Sequence, residues 1–274
     1  MSDLLDMKYF WNKTAKKFGG KDDYTAVLIP SSKGLWNWYV NFIQRTAVEG
    51  NLQHLSGKTV LDLGCGVGRW SARLAIGNKR VIGIDLSREM VKHAKKQIAK
   101  KKLLNVEFVV ASAQNLPFAP EIFDATLSVT VLQHIVDNVA FRSATSEMVR
   151  TLKSKGQIIL LEFMNNEFDN FNPQFPTISH DYEEAFKIDK KLKLMEVRGV
   201  DLSLFLKPLN GIIKKHGRYL DQLEGHSVSN TYVFLSQFFY FLSSLACVFS
   251  VPFDLAFRDV FLKYTEHKIN VFRR

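Results

Sequence analysis

The chain has 274 residues, of which 46% are hydrophobic, enough to bury one large domain or a domain with an appended cap. Its 37 Lys and Arg outnumber 27 Asp and Glu, giving a formal charge of +10; anionic partners such as nucleic acid, a membrane surface or a phosphorylated substrate suit this balance, which does not choose among them. Two cysteines, Cys65 and Cys247, exclude a disulfide framework and a clustered thiolate metal site, so a reducing compartment is expected.

The N-terminus, MSDLLDMKYFW, lacks the basic region, apolar run and small-residue cleavage site of a secretory signal, and a cytoplasmic location is expected. Residues 1–50 are rich in aromatics: Tyr9, Phe10, Trp11, Tyr24, Trp36, Trp38 and Tyr39. Packing against a sheet is the ordinary use of such side chains.

From Lys58 onward, strand and helix patterns alternate, with no internal repeat and no low-complexity linker. Thr59 to Leu63 reads as a strand, followed by a glycine turn and a helix to about Ile76 whose Trp70, Leu74 and Ala75 form an apolar stripe. "RVIGID" is a second strand ending at Asp85. Ser87 is placed to cap a helix over 88–102, with Glu89 in its first turn and Lys100, Lys101 and Lys102 at its end, as the helix dipole favours. "VEFVV" (106–110) and "DATLSV" (124–129) are further strands, and a helix is predicted from about Asp137 to Leu152. "KSKG" is predicted to turn into a fifth strand, "QIILLEF". Short apolar strands alternating with helices predict a doubly wound, Rossmann-like, mainly parallel α/β sheet.

In such sheets ligands bind beyond the carboxyl ends of the strands, where the strand order reverses. "VLDLGCGVGRW" lies at such an end, with Asp62, Gly64, Gly66 and Gly68 in the pattern acid-x-Gly-x-Gly-x-Gly. Glycines let a ligand approach the backbone closely. The third glycine comes two residues after the second, unlike the dinucleotide fingerprint. Asp85, closing the next strand, has two oxygens that suit the vicinal hydroxyls of a ribose.

These stretches, with "AQNLPF", "FDATLSVTVLQHI" and "MVRTLKSKGQIILLE", resemble the ordered motifs of class I S-adenosylmethionine-dependent methyltransferases of the type 11 group, over about residues 55–165. The resemblance implies a seven-stranded sheet with an antiparallel last strand, "KLKLMEVRGV" and "KINVFRR" supplying the final two. Together with the charge-free run beyond residue 224, the expected division is an N-terminal helical lid (1–50), a cofactor-binding core (51–200), an apolar helical cap (201–265) and a last strand (266–274).

S-adenosylmethionine is then the implied cofactor and S-adenosylhomocysteine its product. Its implied site comprises Asp62, Gly64, Cys65, Gly66 and Gly68 of the glycine turn, Asp85 for the ribose and Leu86 against the adenine. Ser112 stands where related chains often carry an acid, directly before the alanine, here Ala113; the Ser112 hydroxyl or Gln114 is then the implied partner of the adenine amino group, while Ser128 and Val129 line the cleft near the sulfonium. No metal is implied. In the resembling enzymes the aromatic N-terminal segment closes over cofactor or substrate, and aromatic faces suit a sulfonium cation.

Among candidate catalytic residues, His134 in "VLQHI" leads as a general base for an acceptor that must lose a proton, against a structural role in its loop. His180, Asp181 and Tyr182 come second; their ordinary reading is a helix start capped by Ser179. Between Glu224 and Asp254 no charged residue occurs, and Ser229, Ser236, Ser243 and Ser250 recur every seven residues. A helix over 228–250 would present one polar stripe and a wide apolar face, to be buried in the enzyme's own cap, in a homo-oligomer contact or at a peripheral membrane surface.

The basic helix holding Lys92, Lys95 and Lys96 brings no RNA-binding signature, and no Asn-Pro-Pro-Tyr-like loop is present, so no nucleic acid partner is expected. The reading is methyl transfer to an oxygen or nitrogen of a small, amphipathic or lipid-like acceptor. A non-catalytic cofactor-binding scaffold and a methyltransferase acting on RNA or protein are the alternatives.

Overall fold

The computed structural model describes residues 2–18, 35–163, 180–199 and 267–274. Four short apolar runs form parallel strands: β1 (Thr59–Leu63), β2 (Arg80–Asp85), β3 (Val106–Val110) and β4 (Phe123–Val129). β5 (Leu152–Phe163) pairs in parallel with β4. Late in the chain, β7 (His267–Arg273) enters antiparallel between β5 and β6 (Lys193–Gly199). Among the described residues the seven strands make one sheet in the order β3-β2-β1-β4-β5-β7-β6. The expected Rossmann-like architecture with an antiparallel β7 is therefore present.

The central strands are apolar on both faces because helices cover both. Alternate residues point to opposite sides. Val60, Leu127 and Ile159 face one layer, with Ile43, Ala47 and Val48 of α2 (Leu35–Leu52) and Trp70 and Leu74 of α3 (Arg69–Leu74). Leu61, Ile82 and Leu160 face the other, against Phe141, Ala144 and Met148 of α5 (Asn138–Thr151) and Tyr182 and Phe186 of α6 (Tyr182–Phe186). At the β3 edge, Val91, Ala94 and Ile98 of α4 (Arg88–Lys100) pack with Cys65 and Phe108. The N-terminal helix α1 (Ser2–Phe18) lies against α4.

Helix starts follow side-chain chemistry. Ser87 accepts a hydrogen bond from the Met90 N–H at 3.1 Å, and Asp137 does the same for Ala140 at 2.7 Å. The cap of α6 is Asp181, whose Oδ1 accepts from the Glu184 N–H, two residues past the predicted Ser179. The predicted turn at "KSKG" is a bulge within β5: Leu152 to Gln157 lies opposite only Phe123 to Ala125, and Lys155 takes a φ of +66°. The predicted cap over 201–265, with its 228–250 helix, and Tyr24 lie outside the described residues. Among the described residues no helix is long and apolar enough to cross a membrane.

Strand order reverses at β1, between β2 and β4. A crevice at the carboxyl ends of these strands is the consequence.

Candidate active site

The chain leaving β1 turns sharply at the crevice. Gly64 adopts a φ of +65°, and a Cβ there would land inside the Val131 side chain of the facing loop. Both the backbone conformation and the close approach demand glycine. Gly68, at φ +85°, opens α3, and a Cβ on it would press on Ala94 of α4 at 3.1 Å. Between them, the Cys65 N–H donates to the Ile84 carbonyl at 2.8 Å and the Gly66 N–H to Asp85 Oδ2 at 2.9 Å, which fastens the turn to the end of β2.

Asp85 accepts a second bond, from the Ser87 N–H to Oδ1 at 2.8 Å. Each carboxylate oxygen thus spends one acceptor site on the backbone and keeps another. Burial raises the Asp85 pKa to about 6, despite these bonds, so the group is mainly ionised at neutral pH.

A cavity of about 770 Å³, including its open mouth, lies beside the turn. Gly64, Gly66, Asp85 and Leu86 line one side; Ser112, Ala113 and Gln114 line another; Val129, Thr130, Val131 and His134 face them. Leu4, Met7 and Trp11 of α1 close the space as an apolar wall. Trp11 meets the His134 ring edge-to-face, with centroids 5.5 Å apart.

His134 ends a short 3₁₀ turn, Leu132–His134, in the loop after β4. Burial lowers its pKa to about 4, so the imidazole is neutral at physiological pH. Thr130, where β4 gives way to this loop, holds a φ of +55°, a strained conformation for a β-branched residue that costs about 1–3 kcal/mol.

Glu162, near the end of β5, carries the loop from below. Its fully buried carboxylate accepts from Ser128 Oγ at 2.7 Å and from the N–H groups of Val131, Leu132 and Gln133 at 3.0–3.3 Å. Sequence reasoning passed over Glu162; its only signal was a single acid inside the apolar run "ILLEF".

Residues 60–156 match the family model described as a methyltransferase domain. The demethylmenaquinone methyltransferase of Clavibacter sepedonicus is 31% identical over 143 residues, which cover 52% of this chain and 54% of that protein. The O-methyltransferase cnsE of Penicillium expansum is 30% identical over 138 residues, covering 50% and 48%. The chain spans about half the length of these curated relatives. The crystal structure of the YcgJ protein from Bacillus subtilis covers 84% of this chain and 97% of its own with a TM-score of 0.55 at 19% identity, a likeness of fold.

Residues 60–156 are a methyltransferase domain.

The cavity of this methyltransferase domain fits the cofactor. It offers a backbone turn that only glycine allows, a carboxylate with an acceptor site left on each oxygen, and apolar walls. Nine of the implied cofactor and catalytic residues line it: Gly64, Gly66, Asp85, Leu86, Ser112, Ala113, Gln114, Val129 and His134. Ser112 uses its Oγ to accept from the Gln114 N–H at 3.2 Å and retains acceptor capacity for an adenine amino group.

Asp62, Cys65, Gly68 and Ser128 do not line the cavity. Strand alternation turns Ser128 toward Glu162 while Val129 faces the cleft. Asp62 is enclosed, accepting from Ser71 Oγ at the start of α3. Cys65 points into the core beside Val91, Ala94 and Phe108, and burial pushes its thiol pKa well up. Of the second-line candidates, His180 stacks on Phe141 with centroids 3.6 Å apart and its Nε2 meets the Ile135 carbonyl, while Tyr182 is buried in the core. In the N-terminal segment Tyr9 is 70% exposed and Trp38 is 41% exposed, so only some of its aromatics pack inward.

Proposed function

We propose that the domain moves a methyl group to an oxygen or nitrogen atom of a small acceptor with an apolar body, as an enzyme and not as a binding scaffold. The supporting observation is the convergence of Gly64, Gly66, Asp85 and His134 on one cavity with an apolar wall from α1. Bound S-adenosylmethionine supplies a methyl carbon already activated on a sulfonium. The chain then has to bind, orient and exclude water, which provide much of the acceleration in such a displacement.

Asp85 holds the ribose through the acceptor sites its backbone bonds leave free. Gly64 and Gly66 bring main chain alongside the methionine end, and Leu86 with Met90 borders the adenine. Leu4, Met7 and Trp11 shield the far side from water. His134 accepts a hydrogen bond from the acceptor's hydroxyl or amine, which its neutral state permits at pH 7. Methylation would put positive charge on the acceptor atom and acidify its proton, which the neutral His134 imidazole would take up as imidazolium. A relative named for demethylmenaquinone, a quinone, supports an acceptor with an apolar body.

The test is titration calorimetry with S-adenosylhomocysteine, followed by an acceptor panel of quinols, phenols and amines. Asp85→Ala is expected to weaken binding by about tenfold to a hundredfold, as for loss of hydrogen bonds to a charged group. His134→Ala is expected to leave binding within about threefold while cutting turnover by about 10²–10⁴-fold. Wild-type protein that is folded and free of carried-over ligand, yet binds no S-adenosylhomocysteine, would refute the reading. Unchanged turnover in His134→Ala would remove the imidazole from it.

A further inference from the structure

We infer that Glu162 is the positioning residue of this site: its carboxylate clamps the loop that presents Val131 to the glycine turn and His134 to the cavity. The inference rests on the methyl-transfer reading and deepens it. Three observations carry it together.

The first is the donor set. Glu162 Oε1 accepts from Ser128 Oγ, the Val131 N–H and the Leu132 N–H, and Oε2 accepts from the Val131 and Gln133 N–H groups. Three consecutive backbone donors converge on one acid that is 0% exposed. An anion is required there, because a protonated or amide side chain would turn a donor toward N–H groups that themselves donate. Glutamine cannot escape by rotating its amide, since both oxygen positions receive N–H bonds. Burial raises the Glu162 pKa while these bonds oppose it; the Tyr182 pKa is raised by its own burial and, to a lesser degree, by the Glu162 charge.

The second is where the clamped loop points. Val131 occupies the space a Cβ on Gly64 would need, so the loop sets how closely the glycine turn and β4 approach. His134 follows directly, its N–H donating to the Val131 carbonyl at 3.1 Å. The third is strain. Thr130 sits at a φ of +55° immediately before the clamped residues, a conformation that persists only when its surroundings hold it.

The experiment compares wild type, Glu162→Gln and Ser128→Ala as full chains, by NMR. Backbone amide exchange is read at Val131, Leu132 and Gln133, and the His134 imidazole is titrated, without any methyl acceptor. In Glu162→Gln the three amides are expected to exchange about tenfold to a hundredfold faster, while Ile82 and Ile84 in β2 keep their protection. The His134 pKa is expected to rise from about 4 toward the ordinary histidine value as the loop releases the ring to solvent.

S-adenosylhomocysteine affinity is expected to fall in parallel, because Val131 and His134 line its cavity. Ser128→Ala, which keeps the carboxylate and removes one of its donors, is expected to shift the same readouts in the same direction by less. It serves as the deciding variant if Glu162→Gln does not fold. Unchanged loop exchange and an unchanged His134 titration in a folded variant would overturn the assignment, since a merely space-filling acid would leave the ring's proton affinity alone. A wild-type chain that fails to bind S-adenosylhomocysteine would defeat the proposed function separately, with the amide and imidazole readouts still judging the clamp.

Discussion

Asp62 is the residue whose burial has the clearest thermodynamic signature. Enclosure raises its pKa to about 7, against the partial relief given by the Ser71 hydroxyl and the Arg69 charge. An unfolded chain would release that proton near pH 3.8, so between about pH 4 and pH 7 the folded state holds a proton that the unfolded state has lost. Stability from this group therefore falls as pH rises through that window, by about 4 kcal/mol at most at roughly 1.4 kcal/mol per unit. Asp85, raised to about 6 by burial, contributes the same sign over a narrower range. Asp62→Asn keeps an acceptor for Ser71 and removes the titration. Its urea-unfolding stability is expected to exceed wild type at pH 8 and to decline less steeply between pH 4 and pH 7, retaining the Asp85 part of the slope. Parallel curves for the two proteins would show that Asp62 is ionised in the fold at neutral pH.

At the scale of elements, the N-terminal helix is joined to the site by one amide. Asn12 Oδ1 accepts from Ser87 Oγ at 2.8 Å and from the Glu89 N–H at 3.3 Å, so α1 completes the capping of α4. The same helix supplies the Leu4, Met7 and Trp11 wall. Asn12→Ala leaves the Ser87 cap on Met90 in place and is expected to cost about 1 kcal/mol in urea unfolding. S-adenosylhomocysteine affinity is expected to drop several-fold with it, and Ser87→Ala, which loses both contacts, should do more. Unaltered affinity in Asn12→Ala would mean that the wall stays in place without the clasp. This join was not legible in the sequence, because its partners lie 75 and 77 residues apart and no periodicity links them. β1 to β4 and the Ser87 cap were legible, since each is written in a short window of apolar runs, small residues or a capping hydroxyl, whereas the bond from the Gly66 N–H to Asp85 spans 19 residues and was not. Ser128 and Val129 are neighbours in sequence, but a strand sends neighbours to opposite faces, so only Val129 reaches the cleft. Glu162 escaped notice for a related reason: its partners sit 29 to 34 positions earlier, across the β4–β5 pair.

For the whole molecule, the decisive feature is that β7 is internal to the sheet although it comes last in the chain. Ile269, Asn270, Val271 and Phe272 are buried, Phe272 packs on Phe186 with centroids 4.8 Å apart, and Arg274 pairs with Asp189 at 2.6 Å. β6 joins the sheet only through β7 among the described residues. Removing residues 267–274 would strip one partner from β5 and the sole pairing from β6, and the shortened chain is expected to lose cooperative unfolding. The chain between these two strands has a different status. β6 and β7 are antiparallel neighbours, with Gly199 paired to Lys268, and such strands can be joined by a hairpin loop of about two to five residues. A connection as long as residues 200–266 is therefore not required by the pairing of β6 with β7. Replacing 200–266 by a short Asn-Gly loop is expected to give a chain that melts cooperatively and binds S-adenosylhomocysteine with affinity close to wild type, but fails to methylate any acceptor the full chain uses. Turnover retained by the short chain would put the acceptor site within the sheet and α1. A short chain that cannot fold would instead make 200–266 part of the core, and the acceptor would then have to be sought with the complete protein only.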